Sequence, residues 1–212
     1  MTTAAIANPA MASWAALNER AMFAAGESVL INGANGVAGR LAIRNAKLLG
    51  AGRIVVTARE ESAREELARL GADAFISLSA APDGVVDEVE REVARGIDVV
   101  LDYLWGRPAE CVVQAVMNGA KRSAPRRVRF VNIGSLAGMD MSLAAAALRS
   151  SRIELMGSGL GSVSEERLAS SAAAAVMALG AHLDGIPIRG VAIESLPAHW
   201  HAETTARLVF TF

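Results

Sequence analysis

The stretch Val29–Gly39, Val-Leu-Ile-Asn-Gly-Ala-Asn-Gly-Val-Ala-Gly, limits what this chain can fold into more than any other. Its apolar start, Val29-Leu30-Ile31, reads as a buried parallel strand. A glycine-rich turn follows. After it, apolar residues at Val37, Leu41, Ala42, Leu48 and Leu49 fall on a helical stripe. Strand, glycine turn and helix, in that order, are the setting in which a dinucleotide fingerprint has physical meaning. Written Ala34-x-Gly36-x-x-Gly39, the turn is the G-x-G-x-x-G pattern with alanine for its first glycine. Gly36 would let main chain approach a diphosphate, and Gly39 would let the helix close on its strand. The helix N-terminus would turn free N–H groups and partial positive charge toward the phosphates. Ala34, Asn35, Gly36, Val37 and Gly39 are therefore the candidate contacts. The same turn also suits any α/β protein that needs a tight strand-to-helix connection. A nucleotide P-loop fits less well, because Arg40 and Leu41 stand where its lysine and hydroxyl residue would be.

The rest of the chain repeats the strand–helix rhythm. Further strands are predicted at 53–57, 74–78, 97–101, 128–133 and 152–156. Helices are predicted at 9–24, 37–49, 61–70, 83–95, 108–118, 142–148 and 165–183. Pro9 suits a first helical turn with Asn8 as its cap, and Gly26 suits the helix end. Six short-spaced alternations predict an α/β fold: a doubly wound, parallel, six-stranded Rossmann sheet. The rhythm breaks after residue 185, where 187–193 and 207–212 read as strands around a short helix near 198–206. The expected organisation is a joining helix segment over 1–26, the dinucleotide-binding domain over 27–185 and a C-terminal return segment over 186–212.

Several function classes fall away on bulk properties. A chain of 212 residues with 52% hydrophobic and 20% charged residues can build a large core. A net charge of −1 argues against nucleic-acid binding. The one basic cluster, Lys121, Arg122, Arg126, Arg127 and Arg129, surrounds Pro125 and reads as a solvated linker before a strand. A single cysteine, Cys111, excludes an internal disulfide and reads as a helix-core residue. No stretch is long and apolar enough to be read as a membrane span and no signal peptide is visible, so a cytoplasmic location is expected. His199 and His201 flank Trp200 with Glu203 nearby, but no third ligand is placed, so no metal site is assigned. His182 is expected to be partly buried on the last long helix.

At this point the residues resemble a known family. Asn8–Leu17, the turn Gly33–Gly39, Ala46-Lys-Leu-Leu-Gly-Ala51 and Leu67-Ala-Arg-Leu-Gly-Ala-Asp73 follow one another in a familiar order. So do Asp98-Val-Val-Leu-Asp-Tyr-Leu-Trp-Gly106, Val131-Asn-Ile-Gly-Ser135 and Met156-Gly-Ser158. Together they resemble the cofactor-binding half of the medium-chain dehydrogenase/reductase superfamily, nearest its zinc-free quinone oxidoreductase branch. The resemblance implies a GroES-like substrate lobe ahead of this region, and the chain is expected to lack it. The tail resembles the segment that returns to complete that lobe. Hydride transfer from a nicotinamide to a quinone, an enone or an aldehyde is the implied reaction. A homodimer joined through the edge strand 152–156 is the implied assembly.

The cofactor reading starts from the second strand. An NAD site wants an acid at that strand's tip to bond the ribose 2′-OH. The chain has Val56-Thr57-Ala58-Arg59 there, with Ala58 in the acid's place. Arg59 could pair with a 2′-phosphate and Thr57 could add a hydroxyl bond, so NADP(H) is expected. Glu60 would favour NAD if the strand ran longer, and Arg59 could instead pair with Glu61 or Glu65. The resemblance further assigns Asp102 and Tyr103 to the cofactor groove, and Gly134, Ser135, Gly157 and Ser158 to the nicotinamide end. Each of those glycines also suits an ordinary strand-end turn. Tyr103 is the one tyrosine and a weak candidate proton donor. A short-chain reductase would need Tyr-x-x-x-Lys, and Arg107 follows Tyr103 instead. A dinucleotide-binding module without turnover remains an alternative.

Overall fold

The computed structural model describes residues 2–122, 126–180, 182–201 and 206–212. Helix α1 (Thr2–Ala15) begins well ahead of the expected start, and Pro9 lies inside it. The segment before Pro9 is alanine-rich, and alanine is the strongest helix former, so the helix extends backward through the ring. A π-turn, Ala16–Arg20, ends it, and Met22 takes φ 48. Gly26 belongs to the connection that follows rather than to the helix end.

Strand and helix then alternate as expected: β1 (Ser28–Asn32), α2 (Val37–Leu48), β2 (Arg53–Ala58), α3 (Arg64–Leu70), β3 (Ala74–Ser77) and α4 (Pro82–Gly96). They continue with β4 (Val99–Asp102), α5 (Gly106–Arg122), β5 (Val128–Asn132), α6 (Ala145–Ser150), β6 (Ile153–Gly157) and α7 (Glu165–Leu179). The sheet order is β3-β2-β1-β4-β5-β6 and every neighbouring pair is parallel. This is the predicted doubly wound Rossmann sheet. The chain leaves β1 toward β2 on one side and returns to β4 on the other. The reversal opens a crevice at the carboxyl ends of β1 and β4, where ligands of such sheets bind.

Alternation along each strand divides two cores. Val29 and Ile31 join Leu17, Leu41, Ile43 and Leu179 on one face. Leu30 joins Val89, Val112, Cys111 and Phe130 on the other. Each fully buried Leu, Ile or Phe contributes roughly 1.5–3 kcal/mol of burial free energy, so both faces anchor the sheet. A buried polar link ties α1 to α2: Asn45 Nδ2 donates to Ala10 O and to Ser13 Oγ, both at 2.9 Å.

Three sequence expectations need correction here. The last long helix stops at Leu179, because Gly180 takes φ +46, and His182 beyond it is exposed rather than partly buried. The basic cluster is not all solvated linker. Arg126 pairs with Asp98 and Arg127 with Glu154 on the surface, but Arg129 is only 5% exposed and donates to Ala21 O and Glu27. The side chains of Lys121 and Arg122 lie outside the described residues. In the tail, β7 (Ile188–Ala192) and β8 (Arg207–Thr211) form a separate parallel pair around a shorter helix, α8 (Leu196–His199). The expected helix near 198–206 falls partly on residues 202–205, outside the described residues. Ile188 and Val209 pack against the α1–α2 core.

Candidate cofactor site

A single row of polar residues crosses the carboxyl ends of the strands. In register, Asn32 sits beside Thr57 and Asp102, Asp102 beside Asn132, and Asn132 beside Gly157. Their side chains bond along the row. Thr57 Oγ1 donates to Asn32 Oδ1 at 2.7 Å, Asn32 Nδ2 donates to Asp102 Oδ1 at 2.8 Å, and Asn132 Nδ2 donates to Asp102 Oδ2 at 3.1 Å. The backbone N–H groups of Trp105 and Leu104 also donate to the Asp102 carboxylate, at 3.1 and 3.3 Å. Burial lifts the Asp102 pKa above the ordinary carboxylate value, and these donors oppose the rise. The row reaches the glycine turn as well, because the Gly33 N–H donates to Thr57 Oγ1 at 3.0 Å.

Above this row lies a groove of 860 Å³. Its floor is the turn and the start of α2, Gly33 to Arg40, and its rim carries Arg59, Glu60, Leu104, Leu136 and Arg207. Gly33 supplies the left-handed turn, with φ +94, and Leu104 packs so close that a Cβ there would lie 2.7 Å from it. A Cβ on Gly39 would lie 2.5 Å from Ala34 Cα and 2.6 Å from Gly33 O, so helix and turn touch main chain to main chain. Gly36 is the opposite case: exposed, extended at φ −73, with nothing within 4 Å of a Cβ. It caps α2 without a side-chain hydrogen bond, which leaves the first-turn N–H groups for a ligand. The main chain over Gly36 is bare and the first-turn N–H groups of α2 face no side chain there, so the residues present fit the diphosphate of a dinucleotide.

Arg40 does not reach into that cradle. It is buried under the turn, donating to Asn35 O at 2.8 Å, Asn35 Oδ1 at 2.9 Å and Gly185 O at 3.0 Å, and pairing with Glu66 at 2.6 Å. The Arg40 hydrogen bond holds the Glu66 carboxyl below its ordinary pKa. Glu60 is engaged too, as acceptor from Asn35 Nδ2. Arg59 and Arg207 are exposed, and their guanidinium groups make no hydrogen bond or ion pair among the described residues.

The sequence-predicted residues thus divide. Asn35, Gly36, Val37, Gly39, Arg59 and Tyr103 all line the groove. Ala34 is fully buried beneath it, and its N–H donates to Thr57 O at 2.8 Å. The expected hydroxyl bond from Thr57 to a 2′-phosphate is corrected: Thr57 is 0% exposed and its hydroxyl is engaged by Asn32 and Gly33. Asp102 is likewise 0% exposed and belongs to the row under the groove, not to its wall. Tyr103 shows the groove only an edge; its hydroxyl is buried near Ser13 and burial pushes its pKa upward, which opposes a proton-donor role.

Gly134 and Ser135 follow β5, and Gly157 and Ser158 lie at the end of β6, as expected, but none of the four lines the groove. A Cβ on Gly134 would lie 2.9 Å from Tyr103 O, so that glycine lets two crest loops meet. Ser135 Oγ donates to Met139 Sδ at 3.4 Å, and the Ser158 N–H donates to Asn132 O at 2.9 Å. Sequence reasoning missed Asn32, Asn132, Leu104 and Arg207. Asn32 carried a usable signal: it closes the apolar run Val29–Ile31 directly ahead of the glycine turn, whereas Arg129 interrupts the strand of Asn132 and Ile133 separates it from Gly134. Among the described residues no cluster of His, Cys, Asp or Glu could hold a metal ion, and no helix is long and apolar enough to cross a membrane.

Known proteins resemble this chain in sequence and in fold. The family profile described as zinc-binding dehydrogenase matches residues 38–176. The chain is 35% identical over 142 residues to a phenolphthiocerol/phthiocerol polyketide synthase of Mycobacterium tuberculosis, covering 66% of this chain and 6% of that protein. It is 29% identical over 177 residues to the probable NADPH-dependent quinone reductase tdiC of Emericella nidulans, covering 78% of this chain and 48% of that one. The crystal structure of AibC superposes with a TM-score of 0.75 at 22% identity, over 98% of this chain and 59% of that one. The chain therefore spans about half of the reductase, somewhat more of AibC, and a small segment of the synthase.

Proposed function

This chain belongs to the medium-chain dehydrogenase/reductase family, as its cofactor-binding half, and on that premise we propose that it binds NADP(H) for the reduction of a quinone or an enone. One observation carries the reading: the open main-chain cradle over Gly36, flanked by the exposed guanidinium groups of Arg59 and Arg207. The first-turn N–H groups of α2 hold the diphosphate. Arg59, one residue past the end of β2, meets the 2′-phosphate through charge-assisted hydrogen bonds. The row Thr57–Asn32–Asp102–Asn132 keeps the crest rigid beneath the ligand, and Leu104 closes the turn from the β4 side. The bound nucleotide supplies the hydride, while the protein supplies position and water exclusion. The likeness to a quinone reductase supports a quinone as acceptor. In the same reading two copies pair through β6, one of the two outer strands of the sheet.

Titration with NADPH and NADH, with and without Arg59→Ala, tests the cofactor assignment. The variant is expected to lose about tenfold in NADPH affinity, the scale of one charge-assisted contact, with NADH binding unchanged. An unaltered preference overturns it.

A further inference from the structure

Glu60 lies where an acid could reach a ribose hydroxyl, yet its carboxylate accepts from Asn35 Nδ2 across the glycine turn. The orientation of that amide is set from below. A guanidinium can only donate, and Arg40 Nη2 donates to Asn35 Oδ1 at 2.9 Å, so the Asn35 oxygen must face Arg40 and its nitrogen must face Glu60. Arg40 in turn is buried and fixed by Glu66 and Gly185 O. Next in sequence to Glu60, Arg59 makes no ion pair among the described residues.

We propose that Asn35 is a specificity-determining residue: it holds Glu60 on the turn, away from both the ribose and Arg59, and so reserves Arg59 for a 2′-phosphate. Released, the carboxylate can accept from a 2′-hydroxyl and can neutralise its neighbour Arg59. Both changes favour NADH over NADPH. The inference rests on the NADPH reading above.

The test is the ratio of NADPH to NADH affinity, measured by nicotinamide fluorescence and repeated with 2′,5′-ADP against 5′-AMP as probes without the reacting ring. A change in the shared diphosphate cradle cancels in this ratio. Asn35→Ala is expected to lower the ratio about fivefold, within the range of one exposed charged contact. Asn35→Asp keeps an oxygen for Arg40 to donate to and replaces the amide that holds Glu60 with a carboxylate that repels it; the charge this adds is separated from the release of Glu60 by the Glu60→Ala background. This variant covers the case in which the alanine variant does not fold, and the same fall is expected. In a Glu60→Ala background neither change should move the ratio by more than about twofold. An unchanged ratio in the single variants, or an equal fall with and without Glu60, overturns the role of Asn35 and leaves the NADPH reading standing. A wild-type chain that already favours NADH, with Arg59→Ala silent, overturns both.

Discussion

Gly36 and Gly39 are three residues apart and should fail in opposite ways when substituted. Gly39→Ala puts a Cβ 2.5 Å from Ala34 Cα and 2.6 Å from Gly33 O. Ordinary carbon contacts are roughly 3.5–4.0 Å, and the obstacles are main chain, which cannot swing aside. Overpacking of this kind costs about 3 kcal/mol at its upper end, and alanine regains about 1 kcal/mol as a helix former, so the net loss is about 2 kcal/mol. For a chain of this size that lowers the melting temperature by about 4–8 °C. Gly36→Val meets nothing within 4 Å and its φ of −73 suits any residue, so the apo melting temperature should stay within about 2 °C. Saturating NADPH at about 100 times its Kd should stabilise the wild type by about 2.7 kcal/mol, and Gly36→Val by almost nothing. One thermal-unfolding series with and without NADPH reads both effects. A Gly36→Val protein still stabilised by NADPH like the wild type would mean that the diphosphate lies elsewhere. A Gly39→Ala protein of wild-type stability would mean that the close approach of helix and turn is not a real constraint.

Asp102→Asn swaps a buried acceptor for a group with a donor end that must face Asn32, Asn132 or the Trp105 N–H, and urea unfolding should show a loss of about 1–3 kcal/mol. The sign of its pH effect is also set. Burial raises the folded-state pKa of Asp102, so between the unfolded and folded values the native chain holds a proton that the unfolded chain has released. Stability from this group therefore falls as pH rises through that window, and Asp102→Asn should remove that part of the slope; an unchanged slope would refute the assignment. Cys111 is 4% exposed and burial pushes its thiol pKa up, so a thiol reagent should label it slowly in the folded chain and rapidly in denaturant. Fast labelling of the native protein would place it outside the core.

The strand, turn and helix at Val29–Gly39 were legible because each carries a local signal: an unbroken apolar run, glycines at fixed spacing, a period of 3.6. The crest row was not. That Asn32, Thr57, Asp102 and Asn132 meet is a fact of register between strands distant in sequence, and no local pattern encodes it. Thr57 and Asp102 were read as ligand contacts for the same reason. Their place at strand ends is visible in sequence, but whether a side chain points up to the ligand or sideways to its neighbour is decided by the neighbouring strands. Pro9 misled in another way. A proline usually marks a first turn, but the alanine-rich segment before it and burial of Ala5 and Ile6 against the core outweigh one lost hydrogen bond.

The charges of the groove make a pattern that no single residue reveals. It contains anions, Glu60 and Glu66, and just beneath it Asp102, and each is tied to donors: Asn35, Arg40, and the Asn32–Asn132 pair with two backbone N–H groups. The cations on the rim, Arg59 and Arg207, are tied to nothing among the described residues. A buried or half-buried carboxylate left bare would repel an incoming phosphate, and a paired guanidinium would have to break its pair before binding one. This groove has neither handicap. Its free-energy costs fall within the folded protein, where amides and main chain already satisfy the acids, and its free donors face the space where a ligand would sit. A neutral sugar or an isolated aromatic ring would gain little from that arrangement. A ligand that carries several phosphates at one end would gain from all of it, which is why the charge pattern, and not the glycine motif alone, supports the proposed NADP(H) reading.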